Sequence, residues 1–560
     1  MSEQNEIFDK FINPAKGIIG KTISTEREPH TSTDFWFWLA RGEKDIQIGD
    51  MVCARSMNNE DFTFGLITEM RSITDVPSFL DDFISHDAGD PNIIPPSDII
   101  EVVIIKASII KNYSNKTRPI GRSYVYFPND LGIQFAIGMV NKNGMPCYHG
   151  IPVGMFENGD GTKCSVAMDE NFLVGPEGAH FNVSGISGLA SKTSSLLFLL
   201  KSLQTHAHKK LGYILVNVKS KDLLYLDKAN PKLGGDAWST EAYKMMGIEP
   251  KQFENLRVFA PAAHNKVDGK QVSKSLRSEG GVEVFSFALN DIKYDMPSLF
   301  SAEDWDYKME GVWYSIIDAI DQKPIADFSE LIKFLDYEMR LLGERTMWKG
   351  HHRATFGKMV NRLKTFIERF AGVMATEGIT AKDLPLEQLK AGHIFVVDMQ
   401  MEGEAAQTFI FSRIVREVRK ILEAIDSSKE NSLDGIVLLV DELNKFGPSG
   451  ATKGPLKDDL IDITARGRSL GLVLFGAEQF ASQVDMRIID NCASSFIGRT
   501  GNNELGNSSY SGFSDEVKAK ILQLPQGHML LKQSKFTQPI FLRFPFPPCA
   551  AGDQYQKNQN

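Results

Sequence analysis

The first 170 residues alternate short apolar runs with turn-forming breaks. Runs such as TDFWFWLA (33–40), IQIGDMVCAR (46–55), FTFGLITEM (62–70) and IIEVVIIKASII (99–110) are rich in β-branched and aromatic residues, and DAGDPN and NKNG punctuate them. This composition is typical of strands bounded by turns. Several short strands at this spacing predict a small β-barrel at the N-terminus.

From about residue 171 the pattern changes to fully apolar runs that alternate with amphipathic helices. The runs YILVNV, HIFVVDM, IVLLVDE and LVLFGAEQ are typical of parallel strands that are buried on both faces. Between residues 298 and 390 an amphipathic helical block interrupts this alternation. Its clearest helix repeats apolar residues at helical spacing, which predicts helix-packing core positions: Phe356, Met359, Val360, Leu363, Phe366, Ile367 and Phe370.

Length and composition narrow the class of protein. The chain has 560 residues, and its longest apolar runs fall far below the roughly 18 residues of a membrane span, so no transmembrane helix is expected. Glu3, Glu6 and Asp9 stand where a secretory signal would carry positive charge, which predicts a cytoplasmic protein. The five cysteines are scattered singly, and this spacing favours plain reduced thiols over a metal site.

The charge balance restricts any contact with nucleic acid to a patch. The chain has 62 Lys and Arg against 71 Asp and Glu, a formal net charge of −9. Basic residues cluster in 264–281, which reads as a loop, and on the polar face of the 353–370 helix. Both are explained most simply as solvated charge, but the 264–281 loop is also a candidate for binding phosphates without sequence preference.

The segment FNVSGISGLASKTSSLLFLL has the layout of a phosphate-binding loop between a strand and a helix. The free N–H groups of a helix N-terminus bind phosphates, a lysine reaches the β- and γ-phosphates, and a Ser or Thr hydroxyl holds Mg²⁺. The candidate nucleotide-binding residues are Gly185, Gly188, Ser191, Lys192, Thr193 and Ser194, with Thr193 also a Mg²⁺ ligand. The alternative is a Gly-rich turn that binds no nucleotide.

A second motif supports the nucleotide interpretation. IVLLVDEL ends a fully apolar strand in Asp441 and Glu442, as in a Walker B motif, in which the Asp organises Mg²⁺ and the Glu polarises the attacking water. Taken alone, the pair is equally a strand that ends in two solvated acids. Together with a Lys-Thr turn some 250 residues earlier in an alternating α/β pattern, it favours ATP and Mg²⁺ as ligands.

These motifs and their order resemble a known family. NVSGISGLASKTS, VLLVDELNKF, TARGRSLGLVLFGAEQF, CASSFIGRTG and LPQGHMLL are similar to the HerA/FtsK-type ATPases, specifically bacterial HerA-like proteins, over roughly 171–545. The resemblance implies a RecA-like P-loop ATPase core in a hexameric ring with ATP at the subunit interfaces, preceded by a HAS-barrel-like N-terminal domain. The implied segments are a barrel (1–170), the first part of the core (171–297), a helical insertion (298–390), the second part of the core (391–545) and a C-terminal tail (546–560).

The resemblance also assigns roles to single residues. Gln479 matches the polar sensor of the γ-phosphate, and Glu442 matches the residue that activates water. Arg466 and Arg468 lie where the family keeps an arginine finger that reaches the neighbouring subunit's γ-phosphate, a device that raises rates about 10³- to 10⁵-fold. The alternative for each arginine is a solvated helix end. Arg499 is a lesser candidate.

The phosphate loop departs from the family pattern in two ways. Gly185 lies seven positions before Lys192 instead of six, and Ser191 replaces the glycine that normally precedes the lysine. The Cβ of Ser191 comes close to the phosphates and is expected to affect hydrolysis more than ATP binding.

Two functions are compatible with this pattern. The first is an ATPase ring that assembles with and regulates a separately encoded effector in antiphage defence, either a nuclease or a sirtuin-like NAD-consuming enzyme. The alternative is a double-stranded DNA translocase or helicase that works with a NurA-type nuclease in DNA end processing. In both, the barrel is expected to dock the partner, because the four aromatics at 35–38 cannot all face one core. Cover of both faces within one subunit is the alternative.

Overall fold

The chain folds into a barrel, a parallel sheet and a helical block. A computed structural model describes residues 7–43, 45–58, 61–76, 78–83, 101–188, 191–267, 269–299, 305–424, 432–450 and 455–550, with residues 90, 92 and 552. The strands are β1 (Gly20–Thr22), β2 (Asp34–Leu39), β3 (Met51–Ser56), β4 (Phe62–Thr74), β5 (Glu101–Asn112), β6 (Ser123–Tyr126), β7 (Gly150–Glu157), β8 (Lys163–Asp169), β9 (Phe181–Ser184), β10 (Leu211–Asn217), β11 (Leu256–Val267), β12 (Lys270–Ser273), β13 (Val282–Phe285), β14 (Met347–Trp348), β15 (His351–His352), β16 (Ile394–Asp398), β17 (Gly435–Asp441), β18 (Leu472–Glu478), β19 (Ser494–Ile497), β20 (His528–Gln533) and β21 (Ile540–Arg543). The helices of seven or more residues are α1 (Asp130–Ala136), α2 (Lys192–His206), α3 (Ala237–Met245), α4 (Tyr307–Gln322), α5 (Phe328–Leu342), α6 (Arg353–Arg369), α7 (Glu404–Glu423), α8 (Pro455–Leu470) and α9 (Asp515–Leu522).

The chain divides into two compact units. The first, here called the barrel unit, comprises Met1–Glu170, Gly185–Ser191 and Ser494–Pro545. The second, here called the core unit, comprises Asn171–Ser184, Lys192–Ala493 and Phe546–Asn560. In the described residues, no helix is both long and apolar enough to cross a membrane.

The barrel closes on itself, as the sequence predicts. Its strand order is β1-β2-β5-β4-β3-β6, and every neighbouring pair is antiparallel. Closure removes exposed strand edges. Three of the four predicted strands agree with the structure to within a few residues, whereas in 46–55 only the part from Met51 is strand. The rest of the barrel unit pairs β7 with β8 and β21, and β20 with β21 and β19, all antiparallel.

The aromatic run on β2 divides between the two faces of the barrel wall. Phe35 and Phe37 are fully buried in the barrel interior, since alternate residues of a strand point to opposite sides. Trp36 points outward but is covered by the Arg71 guanidinium 5.2 Å and the Lys106 ammonium 5.9 Å from its ring. Trp38 remains 37% exposed. Cover from within the chain, the alternative left open by the sequence, therefore accounts for Trp36.

The core unit is built on a parallel sheet of order β11-β16-β10-β17-β18-β9, with β13 parallel and β12 antiparallel to β11. β18 thus lies between β9, which leads into the Lys-Thr turn, and β17, which ends at the acidic pair. This parallel α/β sheet agrees with the predicted RecA-like α/β core.

The helical block shares its core with the sheet. The side chains of Trp313, Phe356 and Leu363 from the block are fully buried in the same apolar cluster as residues of β10 and β17. Trp348 stacks on Phe356 with ring centroids 4.0 Å apart. The predicted core positions of α6 are confirmed, except that Phe366 is only partly buried.

The prediction that 264–281 is a loop is wrong for its first half. β11 continues to Val267 and pairs with β12 as a hairpin despite the polar composition, with Lys266 opposite Gln271 and Val267 opposite Lys270. Two of the basic residues that follow are held in ion pairs, Lys274 with Glu402 at 2.9 Å and Arg277 with Asp227 at 2.8 Å. Lys266 and Lys270 remain exposed near the hairpin tip.

The predicted C-terminal tail begins as packed chain. The Tyr243 hydroxyl donates to the Phe546 carbonyl at 2.8 Å, the Asn230 amide donates to the Pro547 carbonyl at 2.9 Å, and Cys549 is buried. Residues 551 and 553–560 of the predicted tail lie outside the described part of the chain.

A buried carboxyl in the barrel unit makes stability depend on pH. Asp50 is 1% exposed and accepts a hydrogen bond from the Gln47 N–H at 2.9 Å, and burial raises its pKa to about 7. A raised pKa means that the folded state binds more protons than the unfolded state between about pH 4 and 7. Stability contributed by this group is therefore present below pH 4 and is lost as pH rises through 7.

We expect Asp50→Asn to remove this loss, since an amide oxygen can still accept the Gln47 hydrogen bond without ionising. Above pH 7 the free energy of unfolding of the variant should exceed that of the wild type by about a few kcal/mol, so its melting temperature should be higher. Near pH 4 the two melting temperatures should match. Asp45→Asn, at a half-exposed carboxylate nearby, is the control. A difference between variant and wild type that stays constant from pH 4 to 8 would contradict the assignment.

Candidate nucleotide-binding site

The core unit gathers polar side chains at the carboxyl edge of its parallel sheet. β17 ends at Asp441 and is followed by Glu442, β18 is followed by Gln479, and β10 is followed by Lys219 two residues later. Because parallel strands end at the same edge, their following residues come together, and this edge is where open α/β sheets bind ligands. Lys192 begins α2, directly after the glycine-containing loop.

Lys192 and Asp441 are buried groups of opposite charge that interact electrostatically. Lys192 is 7% and Asp441 8% exposed. Burial, and then the charge of Glu442, raises the pKa of Asp441 to about 6, and the Lys192 charge opposes this rise. Burial lowers the pKa of Lys192, and the charges of Asp441 and Glu442 oppose that. A polyphosphate and a divalent cation would each stabilise the charged form of one partner.

Glu442 is held in an uncommon backbone conformation. Its φ of 64° and ψ of 52° are left-handed, which costs roughly 1–3 kcal/mol for a residue other than glycine and is found most often at functional sites. The Lys219 ammonium lies 2.7 Å from Oε1 of Glu442. The Gln479 side-chain amide approaches the same oxygen at 3.5 Å. The predicted water-activating residue and the predicted sensor are therefore neighbours.

Three described positions of the glycine-containing loop have a backbone conformation that favours glycine. Gly185, Gly188 and Ser191 all have positive φ, at 146°, 77° and 50°. Ser191 thus adopts the left-handed conformation at the position where the common motif has glycine. Within the barrel unit, the Ile186 N–H donates to the Arg499 carbonyl at 2.9 Å and the Gln526 side chain donates to the Gly188 carbonyl at 2.7 Å.

The oxygen ligands suit Mg²⁺. Thr193 offers a half-buried hydroxyl in the first turn of α2, followed by Ser194, and Asp441 offers a buried carboxylate. Mg²⁺ prefers one or two such oxygen ligands together with water and phosphate oxygens. The residues present therefore fit a Mg²⁺-nucleotide.

The arginine candidates lie at the opposite edge of the sheet. Arg466 and Arg468 are on the last turns of α8, which ends just before β18 begins, and β18 spans about 20 Å before it reaches Gln479. Arg466 is 82% exposed and pairs with Asp462 at 3.6 Å. Arg468 donates to the Glu177 carbonyl at 3.3 Å. Neither contacts Gln479 or Glu442 of the same chain.

Two residues of this region were missed from the sequence. Lys219 follows YILVNV, and in the sequence it looks like the solvated end of a strand. Gln526 lies in LPQGHMLL, a segment that contributed to the family resemblance, but no residue of it was assigned a role. The signal for Lys219 was its place after a strand adjacent to β17, which becomes visible only with the strand order.

Comparisons with known proteins find similarity to solved structures. No protein-family model and no curated protein matches the chain. VirB4 of Thermoanaerobacter pseudethanolicus matches with a TM-score of 0.43 and 16% identity, covering 73% of this chain and 98% of that one. The plasmid coupling protein TrwB with ADP and Mg²⁺ matches with 0.40 and 12%, covering 67% and 88%. The genome packaging NTPase B204 of Sulfolobus turreted icosahedral virus 2, with ATPγS, matches with 0.22 and 15%, covering 28% and 68%.

The strand order and the placement of the motifs decide the fold. The chain has a RecA-like α/β core and a closed N-terminal β-barrel. The Lys-Thr turn follows β9, the acidic pair follows β17, Gln479 follows the strand between them, and a closed β-barrel occupies the N-terminal region. This is the fold class that the sequence predicts.

We expect the backbone at Ser191 to tolerate glycine and to reject a β-branched residue. Ser191→Gly should bind a fluorescent ATP analogue at least as tightly as the wild type, because glycine adopts φ of 50° without strain. Ser191→Val should weaken binding about tenfold, since a left-handed conformation costs roughly 1–2 kcal/mol for a residue with a Cβ and more for a β-branched one. Equal affinity of the Gly and Val variants would contradict a left-handed loop.

Proposed function

We propose that this chain is a Mg²⁺-dependent ATPase that forms a homo-hexameric ring and assembles with, and regulates, a separately encoded effector in antiphage defence. The effector would be a nuclease or a sirtuin-like NAD-consuming enzyme. The observation that carries the ATPase assignment is the convergence of Lys192, Asp441, Glu442 and Gln479 at one sheet edge. In this proposal these residues bind and orient phosphate, which is the main requirement of phosphoryl transfer.

Each residue has a definite task in this reaction. The glycine-containing loop and Lys192 bind the phosphates, with the ammonium placed against the β- and γ-phosphates. Thr193 and Asp441 hold Mg²⁺, which neutralises charge that develops on the phosphate oxygens. Glu442 accepts a hydrogen bond from the attacking water, and Gln479 orients that water or the γ-phosphate.

The position of the arginines supports a ring. Arg466 and Arg468 lie some 20 Å along β18 from Gln479, at the opposite edge of the sheet, so they have no route to the phosphates of their own chain. In a head-to-tail ring that edge would face the next subunit's nucleotide. The high exposure of Arg466, 82%, leaves it available for such a contact.

The barrel offers a docking surface for the effector. Register pairs β2, β1, β6 and β3 so that Trp38, Lys21, Tyr124 and Arg55 form one outward row across four strands. Trp38 and Tyr124 are 37% and 39% exposed. Trp, Tyr and Arg are the residues most often found at interface hot spots. In the described part of the chain Lys21 makes no ion pair with a carboxylate, which favours an acidic partner surface.

A DNA translocase partnered with a NurA-type nuclease is the second candidate. Lys266 and Lys270 are exposed near the tip of the β11–β12 hairpin, and six copies around a pore would grip phosphates without sequence preference. The ion pairs of Lys274 and Arg277 remove half of the cations that the sequence offered for this purpose. The effector-regulating ring is therefore preferred.

Lys192→Ala and Glu442→Gln test the ATPase assignment. Lys192→Ala should lose MgATP binding in calorimetry while remaining folded, because the phosphates lose their buried cation. Glu442→Gln should bind MgATP and lose most turnover, by a factor of 10² or more, since the water loses its base. Lys221→Met, a lysine of a neighbouring loop, is the control and should behave as the wild type.

The same assay separates the two candidate functions when linear duplex DNA is added. Stimulation of wild-type turnover by DNA alone would favour the translocase, and turnover that responds only to the effector would favour the regulator. Unchanged MgATP affinity in Lys192→Ala would contradict both.

Mixed rings test the arginine finger. Rings formed from Lys192→Ala subunits and Arg466→Ala/Arg468→Ala subunits should recover part of the turnover that each variant lacks alone, because some interfaces then combine an intact loop with intact arginines. Recovery would be measured against the composition of the ring, determined by native mass spectrometry. Rings shown to be mixed that recover no activity would rule out a contribution in trans.

A further inference from the structure

Lys219 is placed to interact with more than one partner in the nucleotide site. Its ammonium lies 2.7 Å from Oε1 of Glu442. The Glu442 side chain is only 8% exposed, whereas that of Lys219 is 46% exposed. Lys219 therefore reaches a buried carboxylate from the open side of the site, and its own side chain has room to move.

The charge of Lys219 acts on both of the groups that are assigned to phosphate and Mg²⁺. After burial, which is the largest cause, it contributes to the lowered pKa of Lys192. It also opposes the burial that raises the pKa of Asp441. Lys219 thus lies within electrostatic range of the position that the triphosphate would occupy, in addition to its contact with Glu442.

A buried network fixes the backbone on either side of Lys219. The Asn217 side-chain amide donates to Oδ1 of Asp398 at 2.8 Å and to the Ser220 carbonyl at 3.1 Å. The other oxygen of Asp398 accepts from the Ser275 hydroxyl at 2.7 Å, and Asn217 and Asp398 are fully buried. The base of Lys219 is therefore anchored, while its flexible four-carbon side chain can rotate between partners.

We propose that Lys219 is a second phosphate-binding lysine, which pairs with Glu442 in the absence of nucleotide and with the γ-phosphate when ATP is bound. Coulomb energy scales with the product of the charges, so a triphosphate competes strongly with a single carboxylate for the ammonium. The exchange frees Oε1 of Glu442 when a γ-phosphate is present, and water activation is confined to the ATP state. The proposal rests on the proposed function, because it takes Glu442 as the water-activating residue.

The experiment compares MgATP and MgADP affinities by calorimetry in a Glu442→Gln background. This background suppresses turnover and removes the ion pair, so any remaining effect of Lys219 comes from the nucleotide. Adding Lys219→Met should weaken MgATP binding about tenfold, the size expected for loss of one charge-assisted contact, and leave MgADP binding within about twofold. Adding Lys219→Arg should retain most of the preference for ATP, because it keeps the charge.

Lys221→Met in the same background is the matched control, with the same loss of charge two residues away. Identical MgATP affinity with and without Lys219→Met would show that Glu442 is the only partner of Lys219 and overturn the proposal. An equal loss of MgATP and MgADP affinity would overturn it as well, because the contact would not be with the γ-phosphate. If the wild type binds neither nucleotide, the proposed function fails and this proposal fails with it. If the wild type binds MgATP but Lys219→Met has no selective effect on it, only this proposal fails and the proposed function stands.

Discussion

The electrostatic interaction between the buried ammonium of Lys192 and the buried carboxylate of Asp441 is the one on which the rest of the site depends. Two charges removed from water are stable only when they are paired and held in good geometry. In the core unit, Lys192 begins α2 and Asp441 ends β17. Glu442 and Lys219 add a second pair beside the first, so that the edge of the sheet carries alternating charges in a small space.

The parallel sheet explains why these groups meet. β10, β17 and β18 are paired in register, and all of their carboxyl ends lie on one edge. These three strands are buried along their whole length and are almost entirely apolar before their last residue. Burial therefore fixes the strands, and polar side chains lie where the strands end. The helical block packs into the same apolar core, and the burial of its Trp313 and Phe356 stabilises the sheet that holds the site.

The sequence was sufficient for the features that are local. The acidic pair after an apolar strand and the Lys-Thr turn are each encoded within a few residues. The division of the Phe35–Trp38 run between two faces also follows from neighbouring residues alone. Contacts between distant segments were out of reach, such as that of Lys219 with a carboxylate 223 residues away. The hairpin at 256–273 was missed because its Lys, Gly and Ser content is typical of loops, whereas strand pairing is decided by partners. The loss of glycine at Ser191 was visible, but its retained left-handed backbone was not.

The most direct test of the account is the structure of the chain with Mg²⁺ and a non-hydrolysable ATP analogue. The account predicts the metal bound by the Thr193 hydroxyl with the Asp441 carboxylate beside it, and the Lys192 ammonium on the β- and γ-phosphates. A nucleotide bound elsewhere, with no phosphate at Lys192 and no metal at Asp441, would contradict it.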